Sequence, residues 1–436
     1  MKKRIIATIL TMLMLTASLA ACSGNKNNTE SNGKSESAQT VTLNQNAATS
    51  DAGGDIDTTA ATSDNKSDGD AAYTGGYEGG KIDTADLFSN RDMKQEADTA
   101  DAKTLTLTAG KNTTITEEGV YVISGSAENT SIIVEAAEDA KVQLVLDNVS
   151  ITNSSAPAIY VKSADKVFIT TTDGSTNALT VSGTFTADGD TNTDAVIYSK
   201  DDLVLNGKGT LSITSSDNGI SGKDDIKITG GTINITSASD AIEANDSIVM
   251  SDGNITINSE KDGLHAENDE DDSVGYIYIG GGSITINASS DAIQATTILQ
   301  IDNGTVTTNS SEGLEATYVQ INGGTINVTA SDDGINASNK SNAYTVTAEF
   351  NGGEINIDMG QGDTDAIDSN GNLYVNGGTF NITGQSAFDF DGQCEYNGGT
   401  IYVNGELTTE ITNQMMGGGM GGPGGGDMGG APGGMR

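Results

Sequence analysis

One phrase recurs through the middle of the chain: Asp240-Ala-Ile-Glu-Ala, Asp262-Gly-Leu-His-Ala, Asp291-Ala-Ile-Gln-Ala, Glu312-Gly-Leu-Glu-Ala, Asp333-Gly-Ile-Asn-Ala and Asp365-Ala-Ile-Asp-Ser. Looser copies put an apolar anchor at Ile159, Ile197 and Ile220 before these and at Phe388 after them. The anchors, which continue through Ile242, Leu264, Ile293, Leu314, Ile335 and Ile367, are spaced by 38, 23, 22, 22, 29, 21, 21, 32 and 21 residues. The base period is therefore 21–23 residues with three insertions. A fixed period of this length means stacked units, each touching only its neighbours. A chain of 436 residues would otherwise suggest two or three domains.

Each unit holds three short runs of alternating apolar residues, for example Ala292–Ala295, Ile298–Ile301 and Thr305–Thr307. Asn-Gly-Gly corners separate them at Asn322, Asn351, Asn376 and Asn397. Period-2 patterning with β-branched residues means strands, and Asn-Gly-Gly means turns that need positive φ. Three strands in about 22 residues, repeated about ten times, predict an all-β chain folded as a single-stranded parallel β-helix, or solenoid. Stacking at about 4.8 Å per unit would give a column of about 43 Å over nine steps. A leucine-rich repeat has a similar period but needs a Leu/Asn frame that is absent here. Proline would break the ladders, and there is none between Pro157 and Pro423. A core of Ile, Val, Leu and Ala accounts for the 4% aromatic content and the lack of Trp.

The ends read differently. Lys2, Lys3 and Arg4 precede an apolar stretch from Ile5 to Leu19, which ends in Leu19-Ala20-Ala21-Cys22. This matches an export signal over residues 1–21 with lipid attachment at Cys22. A cleaved signal with an incidental cysteine is the alternative. Lipidation implies an extracytoplasmic protein held at the cell membrane through its acyl chains only. Residues 22–85 are Ser/Asn/Asp-rich with few large apolar side chains and read as a disordered tether. The folded domain is expected over 86–410 and a Gly/Met-rich disordered tail over 411–436. Tail methionines could bind soft metals, or the tail is plain low-complexity sequence. With Cys22 lipidated, Cys394 has no disulfide partner, and alternation points it inward as a small core residue.

Charge narrows the partners. With 61 Asp+Glu against 21 Lys+Arg the net charge is −40, which excludes electrostatic binding to nucleic acid or to an anionic membrane surface. A single His excludes a multi-His metal centre.

Ile115-Thr-Glu-Glu-Gly119-Val-Tyr-Val-Ile-Ser-Gly125, Lys141-Val-Gln-Leu-Val-Leu-Asp-Asn-Val149, Ala158-Ile-Tyr-Val-Lys-Ser163, Ile197-Tyr-Ser-Lys-Asp-Asp-Leu203, Phe88-Ser-Asn-Arg-Asp92 and the Asp-Gly/Ala-Ile units together resemble a known family. It is the bacterial carbohydrate-binding domain-containing family, and this chain is similar to a clostridial cell-surface protein that binds cellulose and polygalacturonate. The resemblance covers roughly residues 86–410. It implies a right-handed parallel β-helix related in shape to pectate lyases, with bound calcium and no established catalysis. Cellulose is a second candidate ligand, although no flat aromatic platform stands out; Tyr276, Tyr278, Tyr318 and Tyr344 are scattered. A monomer is expected.

Spacing locates the chemistry. Two residues before the anchor stand Asp240, Asp262, Asp291, Glu312, Asp333 and Asp365; one after it stand Glu243, His265, Gln294, Glu315, Asn336, Asp368 and Asp389. Stacked carboxylates about 4.8 Å apart repel unless a cation intervenes. From 262 to 410 there are 23 acids and one lysine, Lys340. An oxygen-only donor set suits Ca²⁺. The insertion around Glu267 is a second candidate, and Asp363, Asp365, Asp368, Asp389 and Asp391 form a third. Alternatively, the Asp two before the anchor caps a corner by an Asx-turn and the loop acids are solvated. Bound Ca²⁺ would let an acidic polysaccharide such as polygalacturonate approach this acidic protein, giving calcium-dependent, non-catalytic capture. A lyase on the same scaffold would need a strong base; Arg occurs only at 4, 91 and 436, leaving Lys223, Lys227 or Lys261. A purely structural, calcium-stiffened solenoid is the third reading.

Overall fold

The structure, a computed structural model, describes residues 39–44, 73, 75–268, 270–361 and 364–414. The signal peptide, Cys22, most of the tether, Asp363 and the tail beyond 414 lie outside the described residues. Within them the fold is all-β, with no helix.

The repeat sets the architecture. Strands Asn218–Gly222, Ile226–Ile228 and Thr232–Ser237 form one unit, and Ile242–Ala244, Ser247–Met250 and Asn254–Ser259 form the next. Each strand pairs in parallel with its equivalent one repeat later. The anchors are in register from repeat to repeat: Ile159, Ile197, Ile220, Ile242, Leu264, Ile293, Leu314, Ile335, Ile367 and Phe388. None is more than 2% exposed. The sequence period thus becomes a continuous apolar core, in which truncating one anchor to Ala would cost about 2–5 kcal/mol.

At the Asn-Gly-Gly corners the two glycines serve different needs. In Asn351-Gly352-Gly353 the second glycine has φ 89°, a conformation L-residues rarely adopt. A Cβ on the first, Gly352, would lie 2.5 Å from the Asn322 carbonyl oxygen of the previous repeat. The asparagines form a ladder, the Asn351, Asn376 and Asn397 amides each donating to the preceding Asn side-chain oxygen at 2.8–3.0 Å.

Two pieces of the expected tether are ordered. Thr40–Thr42 pairs antiparallel with Glu410–Thr412, so strand structure also continues past residue 410. Residues 77–95 lie along an outer sheet face. The Tyr77 N–H donates to Asp302, Lys81 N–H to Gln320 and Ile82 N–H to Gln300. Lys227 Nζ donates to the Leu87 carbonyl, and Gln95 donates to the Thr229 carbonyl. This strap buries Ile82, Leu87 and Phe88 against Tyr276, Tyr278, Tyr318 and Tyr344. Composition misjudged it because the few apolar residues of the segment need no core of their own; the sheet already offers one. Those four tyrosines are therefore covered and form no open stacking platform.

Cys394 pairs in register with buried Leu373 and packs on the core. Burial pushes its thiol up to about 12, so it is not a nucleophile at neutral pH.

Candidate functional site

The ladder that aligns the anchors also aligns their neighbours. Glu243, His265, Gln294, Glu315, Asn336, Asp368 and Asp389 form one uninterrupted row. Alternation from the inward-pointing anchors would turn this row outward, yet His265, Glu315 and Asn336 are each under 9% exposed, and Glu243, Gln294, Asp368 and Asp389 are half-buried.

The second row divides the work of its oxygens. Asp240 Oδ1 accepts the Asp262 N–H at 3.0 Å, Asp262 Oδ1 the Asp291 N–H at 3.0 Å, and Asp333 Oδ1 the Asp365 N–H at 3.2 Å. One oxygen thus belongs to the backbone frame, as a capping role would have it. The other faces the first row: Asp240 Oδ2 lies 2.9 Å from Lys261 Nζ and 3.5 Å from His265 Nδ1. Asp291 Oδ2 receives Gln294 Nε2 at 2.5 Å.

Three neighbourhoods result. In the first, Asp240, Asp262 and His265 bring ligand atoms within 4.8 Å of one another. Lys261 Nζ is 3.8 Å from Asp262 Oδ2, and His265 Nε2 is 3.6 Å from Glu267 Oε2. Burial works against a charged His265, but its hydrogen bond to Asp240 and the Asp240 and Asp262 charges outweigh it and raise its pKa. Lys261 is raised in the same way against its own burial. Asp240 is lowered, the opposing effect of burial being overcome by His265 and Lys261. Protein cations neutralise this neighbourhood. A count of lysines that starts at residue 262 misses that, because Lys261 stands one position earlier.

In the second, Asp291, Glu312 and Glu315 bring carboxylate oxygens within 4.8 Å of one another. Gln294 bridges Asp291 and Glu315 at 2.5 and 2.7 Å, Asn336 donates to Glu312 at 3.1 Å, and Ser338 donates to Glu315 at 2.7 Å. Lys340 Nζ, 2.8 Å from Glu315, is the one ammonium that the described residues bring here. Burial first, then neighbouring carboxylates, raise Asp291 to about 7 and Glu312 to about 7. Asn336 Oδ1 is buried with no hydrogen-bond partner.

The third runs along Asp333, Asp365, Asp368, Asp389 and Asp391. Burial, then the surrounding aspartates, raises Asp368 to about 7; burial is also the largest cause that raises Asp333 to about 6. Ser386 donates to Asp365, and Asn370 to Asp368 at 3.1 Å. Asp389 Oδ1 is buried without a hydrogen-bond partner. Among the described residues no Lys or Arg pairs with Asp333, Asp368, Asp389 or Asp391.

The insertion contributes less than expected. Glu267 approaches His265, but Asp271 bonds within the loop, Asn268 accepts from the Glu270 N–H and donates to Asp246, and Asp272 accepts from Ser341. A further acidic cluster was not read from the sequence. Asp202 and Asp225 align beside Lys166 and Lys227 at the start of the second strand. Lys166 sits 3.4 Å from Asp92 of the strap and 3.6 Å from Asp202. Burial, then neighbouring acids, raises Asp202 to about 7 and Asp224 to about 8. The recurring Asp-Asp of Asp201-Asp202 and Asp224-Asp225 was the available signal.

The chain is thus an all-β stack with two aligned rows rich in carboxylate, amide and imidazole side chains. Comparison with known proteins is specific: the carbohydrate-binding domain-containing protein family matches residues 109–366 and 318–418. The chain belongs to that family. A carbohydrate-binding domain-containing protein of Acetivibrio thermocellus is 36% identical over 163 residues, which is 37% of this chain and 55% of that protein. This chain thus spans about half the length of that relative. A solved structure of a polysaccharide lyase-like protein from C. thermocellum, a gadolinium derivative, is 32% identical with TM-score 0.47, covering 52% of this chain and 95% of that one.

Proposed function

We propose that the chain is a right-handed parallel β-helix whose acidic rows bind Ca²⁺ and, through it, an acidic polysaccharide of the polygalacturonate type, without catalysis. The carrying observation is the Asp291–Glu312–Glu315 group, three carboxylates on adjacent repeats with oxygens within 4.8 Å. The donor set is all oxygen, as Ca²⁺ prefers, and buried Asn336 Oδ1 offers a further uncommitted oxygen. A calcium ion there would supply positive charge and open coordination positions for sugar carboxylates. The chain's own part is to hold the carboxylates in register, with Gln294, Ser338 and Asn336 fixing their orientation. Cellulose is the second candidate ligand, and lipidation at Cys22 would place the protein at the outer face of the cell membrane, as a monomer.

The chemistry at Lys261 favours binding over β-elimination. A general base must be deprotonated at working pH, and Lys261, paired to Asp240 at 2.9 Å with its pKa raised, is held protonated. Calorimetry of oligogalacturonate against the full chain tests the reading. Binding is expected in calcium and lost in excess chelator; equal affinity in both, or release of unsaturated ends, would overturn it.

A further inference from the structure

The insertion between Ile159 and Ile197 is the longest in the repeat, and the acidic rows leave it without a role. It folds over the start of the same row. Upstream of Glu243, that row continues through Ser221, Tyr198 and Tyr160, so aromatic residues replace acids. Beside these tyrosines is a cavity of about 490 Å³, within the range of about 300–1,000 Å³ typical of small-ligand sites. Its walls include Asp190, Asn192 and Asp194 from the insertion and Tyr198, Lys200 and Lys223 from the sheet.

Lys200 and Lys223 are placed by the ladder itself: their N–H groups donate to the Val161 and Ser199 carbonyls, at 3.1 and 2.9 Å. Nearby, Lys162 pairs with Asp188 at 2.6 Å, and further along the stack Lys340 pairs with Glu315 at 2.8 Å. Lys223 meets the Asn245 side-chain oxygen at 3.4 Å, Glu243 at 3.9 Å and the Tyr198 ring at 6.0 Å to its centroid. Lys200 makes no ion pair within 4 Å among the described residues. Asp194 accepts from Asn192 at 2.6 Å through Oδ2, but its Oδ1 is buried with no partner. The cavity therefore offers two under-used ammonium groups and an uncommitted carboxylate oxygen. A bare inorganic anion would meet Asp190 and Asp194 unfavourably. A sugar acid presents a carboxylate to the lysines and hydroxyl donors to the aspartates.

We propose that this cavity is a metal-independent subsite for a hexuronate residue, its carboxylate held by Lys200 and Lys223, its hydroxyls by Asp190 and Asp194, above the Tyr198 floor. It rests on the preceding reading that the ligand is an acidic polysaccharide, and extends the path of the polymer beyond the metal-binding rows. A chain lying along the row would then be gripped in two ways, through a cation at Asp291–Glu315 and directly by lysine at the tyrosine end.

Saturation-transfer NMR on the full chain in excess chelator tests it, with methyl galacturonide and methyl galactoside as probes. A galacturonide signal is expected, at least about fivefold weaker for galactoside, because only the carboxylate engages the ammonium groups. Lys200→Gln with Lys223→Gln should lower it at least about fivefold, and the matching Arg pair should retain it, since charge is kept. No signal in chelator, or one unmoved by the Gln pair in a variant of unchanged melting temperature, would overturn the subsite. The two readings separate cleanly. Calcium-dependent capture of polygalacturonate with no galacturonide signal in chelator would sink only the subsite. A lysine-dependent signal in a chain that ignores polygalacturonate with calcium would sink only the calcium reading.

Discussion

Around Asp240 and Asp262 the carboxylates meet Lys261 and His265, whereas around Asp291, Glu312 and Glu315 they meet one another, two amides, a hydroxyl and the single ammonium of Lys340. The same backbone ladder builds both stretches. Two carboxylates about 4.8 Å apart repel by about 3.5 kcal/mol at an effective dielectric of about 20, so each stretch needs a remedy. In the first stretch the remedy is built into the chain, and Asp240 stays low. In the second the carboxyls rise toward neutrality, which leaves them open to an external cation. Identical geometry thus gives a structural ion-pair cluster at one place and a candidate metal site a repeat later. The difference lies in two side chains.

The contrast breaks if both stretches respond alike to substitution. Neutralising Asp291, Glu312 and Glu315 together, to Asn, Gln and Gln, should lower calcium affinity by more than about a hundredfold, since the ion loses its charged ligands. Asp240→Asn with Asp262→Asn should leave calcium affinity within about threefold yet lower the melting temperature, because Lys261 and His265 lose their partners. Calcium titration and thermal scans read the two outcomes.

Acidity sharpens it next. Asp291 and Glu312 titrate near 7 in the folded chain, against about 4 when unfolded. These two groups therefore bind more protons in the metal-free folded state between those values, and the stability they contribute is fully present below about pH 4 and lost as pH rises through 7. His265, also raised, adds stability below its unfolded value of about 6.5 that is lost as pH rises through its folded pKa. Metal-free protein should melt lower at about pH 8 than at about pH 5.5, and saturating calcium should reverse the order. Calcium affinity should drop about 25-fold per carboxyl as pH falls from about 7.5 to about 5.5, because that is the fall in the ionised fraction of a group titrating near 7.

Smaller effects separate frame from site. Asn376→Ala removes a rung of the uncharged asparagine ladder and should cost about 0.5–1.5 kcal/mol with calcium affinity unmoved. Lys340→Gln removes the competing ammonium and should tighten calcium by up to about fivefold, as befits a partly exposed pair worth about 0.2–1 kcal/mol.

The register of the apolar anchors was legible because side chains buried on stacked strands must repeat with the stack, and the two polar rows beside them came with it. What stayed hidden lacks the period. The strap over residues 77–95 packs through Ile82, Leu87 and Phe88, which match no repeat, onto a sheet face that could not be known to be free. The role of His265 depends on Lys261 and on burial, which spacing alone does not reveal. The tyrosine–lysine cavity lies where the row changes from acids to Tyr160 and Tyr198, so a search for acids stops short of it.

The most direct test is calorimetry of oligogalacturonate, in calcium, against two variants of the full chain measured together: Asp291→Asn/Glu312→Gln/Glu315→Gln and Asp240→Asn/Asp262→Asn. Binding should vanish in the first and persist in the second. Persistence in both, or loss in both with the fold intact, would contradict a cation site at Asp291–Glu315.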